Sequence, residues 1–262
     1  MVRRPLGNHH HGPDTLLVTP DAAQTEPVAT ETENLREVIG RARFVLFDFD
    51  GPICRLFAGH SAEDVARNLV DWLEGQGLRG LLTEEERVHP DPHVVLRVVN
   101  KRHPHSDLVA ELEGLLTQHE LKAVPSAWPT AYADPLIRTW TAIGVRLAVA
   151  TNNSPRVVAS YLNSRGLSEC FASHVYGRTR NLDHLKPNPH CLNRALNAMG
   201  AAPSAALMIG DTPSDFLAAQ EAGVPFLGYA RNAGKEQLLR DVGAEHVVPS
   251  MELLLRVLRG QL

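Results

Sequence analysis

The sequence predicts an α/β protein in which a doubly wound parallel sheet carries a small all-helical domain inserted after its first strand. An unbroken apolar run over 44–47 is typical of a strand buried on both faces of such a sheet. Residues 56–128 show helical patterns only. From residue 134 onward, short apolar runs alternate with amphipathic helical stretches, which is the spacing of parallel strands joined by helices.

Composition narrows the class of protein. The 262 residues are 44% hydrophobic and 21% charged, with a formal net charge of −4, which is ordinary for a globular protein. Because this balance provides no basic field, nucleic acid is not expected as a partner. The cysteines are widely spaced, so neither a disulfide framework nor a zinc site is expected. No apolar run approaches the ~18 residues that span a bilayer, so we expect no membrane association and a cytoplasmic location.

The chain divides into three predicted parts. Residues 1–32 are rich in Pro, Thr and His and lack periodic hydrophobicity, so they are predicted to be a disordered tail with no assigned role. Residues 33–55 and 129–262 form the predicted α/β core, which starts with a helix over 33–42. Residues 56–128 form the helical insertion between the two core segments.

Two acids follow the first strand directly. Asp48 and Asp50 flank Phe49 and precede Gly51 and Pro52, which end the strand. Because side chains alternate along an extended chain, both carboxylates can leave on the same side. They then lie at the carboxyl end of a central strand, where open α/β sheets build ligand sites. Two acids before a glycine are also common in solvated turns, so the pair alone does not establish chemistry.

Capping patterns divide the insertion into four predicted helices. Each begins at a side chain that can accept a hydrogen bond from the first helical turn; these are Ser61, Thr83, Asp91 and Ser106. Ser61 and Thr83 are each followed by an acid three residues later, as in a capping box. The insertion and the residue just before it carry several cationic side chains, among them Arg55 and Arg97, and the sequence singles out none of them for substrate specificity.

The rest of the chain reads as alternating helices and strands. Predicted helices end at glycines, which favour the left-handed conformation of a helix terminus; these are Gly144, Gly166, Gly200 and Gly223. The predicted strands cover 145–150, 174–176, 206–209, 225–229 and 246–248. This rhythm continues to a last predicted helix over 251–258.

Polar residues of functional type follow several of these segments. Thr151 and Asn152 follow the strand over 145–150, Lys186 lies in the loop HLKPNP, and Asp211 and Asp215 follow the strand over 206–209. Taken singly, each has a structural explanation. Thr151 and Asn152 can cap a helix, Lys186 can be an exposed loop lysine, and the two acids can form a turn before an N-capped helix.

Taken together with Asp48 and Asp50, these motifs resemble, in their order, the four motifs of the haloacid dehalogenase-like hydrolase superfamily. The resemblance covers about residues 44–248 and is closest to the phosphoglycolate-phosphatase-like branch. It implies a Rossmann-like core. The helical insertion is similar to the class-one cap, which closes over the site and selects small substrates; a rigid helical decoration is the alternative.

A magnesium site follows from the same motifs. If the strand ends meet at one edge of the sheet, the acids of the first and fourth motifs crowd together, and like charges this close need a cation to stay ionised. Oxygen ligands without His or Cys favour Mg²⁺. The resemblance implies the carboxylates of Asp48 and Asp211 and the backbone carbonyl of Asp50 as ligands. It also implies that Asp215 orients Lys186 or a bound water.

The resemblance further implies a phosphatase mechanism. Asp48 would attack phosphorus and form an aspartyl-phosphate, and Asp50 would act first as general acid and then as general base. The Thr151 hydroxyl, the Asn152 backbone N–H and the Lys186 ammonium would hold the transferring phosphoryl group. We therefore expect a Mg²⁺-dependent hydrolase of a small phosphorylated metabolite.

Two alternatives stay open. A 2-haloacid dehalogenase also uses an attacking Asp but needs neither leaving-group protonation nor a metal, so Asp50 and Asp211 argue against it. A catalytically weak member retained for binding or regulation is favoured only by Pro52, which stands where the family usually has Thr or Val and lacks a backbone N–H. The physiological substrate and the oligomeric state are beyond what the sequence predicts.

Overall fold

The structure, a computed structural model, describes residues 26–261. Its first helix, α1, covers Glu26–Arg41 and thus begins before the predicted start at residue 33. The predicted boundary of the tail at residue 32 is therefore wrong, and Pro27 falls in the first turn of the helix, where its missing backbone N–H costs no helical hydrogen bond. The rest of the predicted tail, residues 1–25, lies outside the described residues.

The strands and helices follow the predicted order. The strands are β1 Phe44–Phe47, β2 Cys54–Arg55, β3 Trp128–Pro129, β4 Arg146–Ala150, β5 Val175–Tyr176, β6 Ala206–Gly210, β7 Phe226–Tyr229 and β8 Val247–Val248. After α1, the helices are α2 Ala62–Gly75, α3 Glu84–Arg87, α4 Pro92–Arg102, α5 Asp107–Ala123, α6 Ala133–Ala142, α7 Pro155–Ser164, α8 Ser168–Phe171, α9 His190–Met199, α10 Pro213–Glu221, α11 Ala233–Asp241 and α12 Met251–Leu258.

A six-stranded parallel sheet in the order β5-β4-β1-β6-β7-β8 forms the centre of the protein. Strand β1 lies between β4 and β6, with Phe47 in register with Val149 and Ile209. The doubly wound α/β class is therefore confirmed. Because the strands run in one direction, the residues that follow β1, β4 and β6 meet at the same edge of the sheet.

Helices cover both faces of this sheet. Val45 and Phe47 point into a core that includes Trp140 of α6, whereas Phe44 and Leu46 point into a second core. The ring centroids of Phe47 and Trp140 lie 5.7 Å apart in an edge-to-face arrangement. Burial on both faces explains why the residues of β1 do not alternate between apolar and polar.

The inserted helices α2–α5 form a small apolar core of their own. It contains Leu69 of α2, Val95 of α4 and Leu112 of α5, and also Leu182 and Leu185 from the chain that follows β5. The antiparallel pair β2–β3, which the sequence did not predict, stands at both ends of the insertion. The insertion is thus joined to the α/β core by two short strands and rests on the segment around Leu185.

Two local predictions need correction. At Ser61 only half of the capping box forms, since Ser61 accepts from the Asp64 N–H at 3.2 Å while the Asp64 carboxylate accepts from Arg67. At Thr83 the reciprocal box is complete.

Helix α8 was not predicted, because four residues are too few to show a helical period. None of the helices within residues 26–261 has the length and apolarity needed to cross a bilayer.

Candidate active site

The carboxyl ends of three neighbouring strands bring the predicted site residues together. Asp48 follows β1, Thr151 follows β4 and Asp211 follows β6, and all three residues are buried. One carboxylate oxygen each of Asp48, Asp211 and Asp215 lies within 4.8 Å of the other two. The acids of the first and fourth motifs therefore share one buried site.

Lys186 lies among these acids. Its ammonium donates to Asp48 Oδ1 at 2.8 Å, to the Ala150 carbonyl at 2.9 Å and to Asp215 Oδ1 at 2.5 Å. Burial would lower the pKa of Lys186, but the Asp215 and Asp48 carboxylates raise it above its ordinary value. Lys186 is only 1% exposed, so its interpretation as an exposed loop lysine is wrong.

Asp215 orients this lysine from the start of α10. Its second oxygen accepts from the backbone N–H groups of Asp211 and Thr212 at 3.1 and 3.0 Å, and from the Thr212 hydroxyl at 2.7 Å. Both oxygens of Asp215 are thus satisfied by the protein. Its carboxylate holds the Lys186 ammonium against Asp48.

Asp211, in contrast to Asp215, is not fully hydrogen-bonded by the described residues. Its Oδ1 is buried without a hydrogen-bond partner within residues 26–261, and its Oδ2 accepts from Lys235 Nζ. Burial raises the pKa of Asp211 to about 7, against the lowering effect of Lys235. A buried, unpartnered carboxylate oxygen beside two further acids suits a hard divalent cation. The residues present therefore fit the predicted Mg²⁺ site.

Asp50 lies beside this cluster, half-buried. Its Oδ1 accepts from the Leu56 backbone N–H at 2.9 Å. Burial raises the pKa of Asp50 to about 6, although the Leu56 hydrogen bond lowers it. A carboxyl group with such a pKa is partly protonated near neutral pH and can both donate and accept a proton.

The turn after Asp50 accommodates Pro52. The Phe49 carbonyl accepts from the N–H groups of Ile53 at 3.3 Å and Cys54 at 3.1 Å, and Gly51 N–H donates to the Cys54 carbonyl at 2.6 Å. The turn is thus closed by residues on both sides of the proline. A backbone N–H at position 52 is not needed to close it.

Gly51 allows Asp211 to approach the turn. Gly51 has a φ of +120°, and a Cβ at this position would lie 2.3 Å from Asp211 Cγ. We expect Gly51→Ala to lower the free energy of unfolding by about 1–3 kcal/mol, through backbone strain and the clash. The measurement is urea unfolding of the variant and the wild type.

Gly114 is the matched control for this experiment. It lies inside α5 with no atom near its missing Cβ, so Gly114→Ala should raise the free energy of unfolding by up to about 1 kcal/mol. We therefore expect the two alanine substitutions to change the free energy of unfolding in opposite directions. Equal effects would show that close packing against Asp211 is not what Gly51 provides.

The loop after β4 presents hydrogen-bond donors at the same edge. The Thr151 hydroxyl accepts from the Asn153 N–H at 3.2 Å, which folds the loop back on itself. The Asn152 side chain accepts from Lys186 N–H at 2.7 Å and donates to the Lys186 carbonyl at 3.3 Å. The Asn152 backbone N–H has no acceptor within residues 26–261 and is free to bind a ligand.

A buried ion pair that the sequence did not predict supports this loop. Arg178 donates to Glu120 of α5 through both terminal nitrogens, at 2.9 and 3.0 Å, and both side chains are fully buried. Arg178 also donates to the Asn152 carbonyl at 2.9 Å. Glu120 accepts from the Ser154 N–H at 3.2 Å and from Asn153 Nδ2 at 3.0 Å. The Glu120 carboxylate of α5 therefore caps the start of α7, where the Ser154 side chain makes no capping hydrogen bond.

Two cavities meet at Asp50 and Thr212. The smaller, of about 210 Å³, contains Asp48, Lys186 and the 151–153 loop, and α4 contributes His93 and Arg97 to its wall. The larger, of about 580 Å³, extends past Asp50 and Asp211 toward Arg55, Arg231 and Lys235. Asp50 lines both cavities.

Some residues of the site were not found from the sequence. Lys235 follows Asn232 by three residues, and the Asn232 side chain accepts from its N–H at 2.9 Å. This capping pattern predicts a helix start but gives no reason to place the lysine beside Asp211. His93 lies 3.2 Å from the Asn152 carbonyl through Nε2, and only the position of α4 over the sheet edge brings it there.

Comparisons with known proteins support this description. The family model for haloacid dehalogenase-like hydrolases matches residues 42–223. A phosphoglycolate phosphatase of Rhodospirillum rubrum is 36% identical over 110 residues, which are 40% of this chain and 44% of that protein. The match thus spans less than half of that relative's length. A phosphoglycolate phosphatase of Pseudomonas fluorescens is 30% identical over 74% of this chain and 72% of its own length.

Solved structures agree on the fold. A Bacteroides fragilis protein described as a haloacid dehalogenase-like hydrolase has a TM-score of 0.61 at 19% identity, covering 81% of this chain and 99% of that one. The matched region of the family model contains Asp48, Asp50, Lys186 and both acids of the fourth motif. This chain therefore belongs to the haloacid dehalogenase-like hydrolase family.

Proposed function

We propose that the protein is a Mg²⁺-dependent phosphatase that hydrolyses a small phosphomonoester through an aspartyl-phosphate at Asp48. The single observation that carries the proposal is the position of Asp48. Its carboxylate lines the 210 Å³ cavity, is held by the Lys186 ammonium and shares a buried cluster with Asp211, which has one unpartnered oxygen within the described residues. The two relatives named as phosphoglycolate phosphatases act on an ester of this size class.

The first half of the reaction is assigned to Asp48 and Asp50. A carboxylate oxygen of Asp48 attacks phosphorus, and the bond from phosphorus to the ester oxygen breaks. The electron pair leaves with that oxygen, which takes a proton from Asp50. The pKa of about 6 for Asp50 supports this role, because it leaves part of the group protonated near neutral pH.

The second half returns the enzyme to its starting state. Asp50, now ionised, takes a proton from the water that attacks the acyl phosphate, and phosphate leaves with Asp48 regenerated. The Asn152 N–H and the Thr151 hydroxyl are assigned to the phosphoryl oxygens. Lys186 donates its three ammonium hydrogens to Asp48, the Ala150 carbonyl and Asp215. In this proposal it therefore acts on the phosphoryl group mainly through its charge.

Magnesium is assigned to the acids of the first and fourth motifs. Asp48, Asp211 and the backbone carbonyl of Asp50 would hold it, and it would neutralise the phosphoryl oxygens during attack. The inserted helices α2–α5 are assigned the role of a cap over the cavity, because His93 and Arg97 of α4 already form part of its wall. Closure would exclude bulk water while the phosphoryl group is transferred to Asp48, and reopening would admit the water that hydrolyses the acyl phosphate.

The proposal is tested by phosphate release from p-nitrophenyl phosphate and acetyl phosphate. We expect turnover with Mg²⁺ and its loss in excess EDTA, restored when Mg²⁺ is added back in excess of the chelator. Undiminished turnover in EDTA would contradict the metal assignment. Chloride release from haloacetate would favour a dehalogenase, and no turnover of a broad panel of phosphate esters would favour a binding or regulatory protein.

A further inference from the structure

The larger cavity contains two guanidinium groups without an anionic partner. Its cationic side chains are Arg55, Arg231 and Lys235. Lys235 is engaged by the Asp211 carboxylate. Arg55 and Arg231 form no ion pair with any residue of the described range 26–261. Two uncompensated guanidinium groups beside a proposed phosphatase site can hold an anion, for which their planar N–H edges are suited.

Arg55 is held in place by an aromatic ring. It lies on β2 opposite Trp128 of β3, and its guanidinium carbon is 5.3 Å from the centroid of the Trp128 ring. Stacking of this kind restricts the side chain while its N–H groups stay available. It also gives a reason for the 58% exposure of Trp128, an unusual position for so large an apolar side chain.

Arg231 lines the same cavity from the segment that follows β7. It follows β7 by two residues. Burial and the Asp211 carboxylate raise the pKa of Tyr229, the last residue of β7, and Arg231 and Arg55 offset part of this rise. Neither arginine belongs to helices α2–α5. The two cations are therefore part of the α/β core and its connecting strand.

The position of Asp50 indicates which cavity would receive the leaving group of the substrate. A general acid must lie about 2.6–3.2 Å from the oxygen that it protonates. Asp50 lines both cavities, so a leaving oxygen placed against it has the phosphoryl cavity on one side and the arginine cavity on the other. On the cap side, Arg97 already has the Asp91 carboxylate 3.5 Å away. The arginine cavity is thus the direction in which an anionic leaving group finds free cations.

We propose that Arg55 and Arg231 form a subsite for a second anionic group, carried by the leaving group of the substrate. The ligand class is a phosphomonoester that bears a carboxylate or a second phosphate beyond its ester oxygen. This assignment rests on the proposed function for the orientation of the substrate. It adds two residues that determine specificity and lie outside the four motifs.

Three probes on one two-carbon frame test the subsite. They are 2-hydroxyethyl phosphate, which has a neutral end, 2-phosphoglycolate, which has a carboxylate, and ethylene glycol bisphosphate, which has a second phosphate. Binding to the Asp48→Asn variant with Mg²⁺ is measured by calorimetry, so that no turnover is needed. Hydrolysis by the wild type is measured in parallel and tests the proposed function separately.

We expect at least one charged probe to bind about tenfold tighter than the neutral one. Adding Arg55→Gln or Arg231→Gln should remove most of this difference and change binding of the neutral probe less than about twofold. Arg146→Gln is the matched control, because Arg146 also stacks on an aromatic ring, Phe44, but at the opposite end of the sheet. This variant should bind all three probes like its parent.

The outcomes separate the two proposals. Equal binding of charged and neutral probes, or equal losses for all three in the arginine variants, would overturn the subsite. A preference for only one charged probe identifies carboxylate or phosphate as the second anion and supports the subsite. Charge-selective binding that depends on Arg55 and Arg231, without hydrolysis by the wild type, would keep the subsite and overturn the phosphatase.

Discussion

Asp48→Asn is expected to lower the rate of phosphate release by about 10³-fold or more. The neutral amide cannot attack phosphorus as the carboxylate does, so the covalent step is lost. The substitution keeps the size of the side chain and leaves an amide oxygen that can accept from Lys186. The loss should therefore appear in kcat with p-nitrophenyl phosphate at saturating Mg²⁺.

Stability of the same variant provides the control. Lys186 keeps Asp215 as its ionic partner, so we expect the free energy of unfolding to stay within about 1 kcal/mol of the wild type. Asp71→Asn, an identical change at an exposed position of α2, should alter neither rate nor stability. Retained turnover in a folded Asp48→Asn protein would rule out Asp48 as the nucleophile.

Strand β1 and its acids could be predicted because local pattern and chemistry coincide there. A strand buried on both faces must be apolar throughout, so Asp48 stands out at its end. The parallel order of strands then brings Thr151 and Asp211 to the same edge without any knowledge of side-chain contacts. The α/β class and the gathering of these residues follow from periodicity and topology alone.

Contacts between distant polar residues could not be predicted in this way. Arg178 and Glu120 are 58 residues apart, and neither belongs to a motif. Glu120 lies within a helical pattern where an acid is ordinarily a solvated residue, and Arg178 follows a two-residue strand. Their pairing depends on how α5 docks against the loop after β4, which is a tertiary property. The positions of Lys235 and Arg231 depend in the same way on where the chain after β7 returns.

Breaking the buried Arg178–Glu120 ion pair is expected to have a large effect on the free energy of unfolding. Arg178→Met is expected to lower the free energy of unfolding by about 3–5 kcal/mol, because it leaves the Glu120 carboxylate buried without its cation. Glu120→Gln should cost less, since the amide oxygen can still accept from the Ser154 N–H and Arg178 retains Glu113 at 2.9 Å. Unfolding in urea at neutral pH measures both variants.

An exposed ion pair provides the matched control. Arg165 contacts Asp134 at 2.5 Å, but its side chain is 39% exposed, so Arg165→Met should cost about 1 kcal/mol or less. If the two Arg→Met substitutions cost the same, burial is not what makes the Arg178 pair important. A small loss in both would mean that water or a neighbouring group replaces the missing charge at Glu120.

The pH dependence of these variants tests the same cause. Burial would raise the pKa of Glu120, but Arg178 lowers it below the ordinary value of 4.5, so the pair stabilises the wild type above that pH. This contribution is lost as the pH falls through the lowered pKa. Without Arg178, burial, the largest influence on the pKa of Glu120, is opposed only by weaker ones such as His93 and the Asn153 hydrogen bond, so Glu120 takes up a proton at higher pH and loses its unpaired charge. The stability difference between wild type and Arg178→Met should therefore shrink as the pH falls from 7 toward 4. A difference that is constant over this range would assign the loss to packing of the arginine side chain instead of to the buried charge.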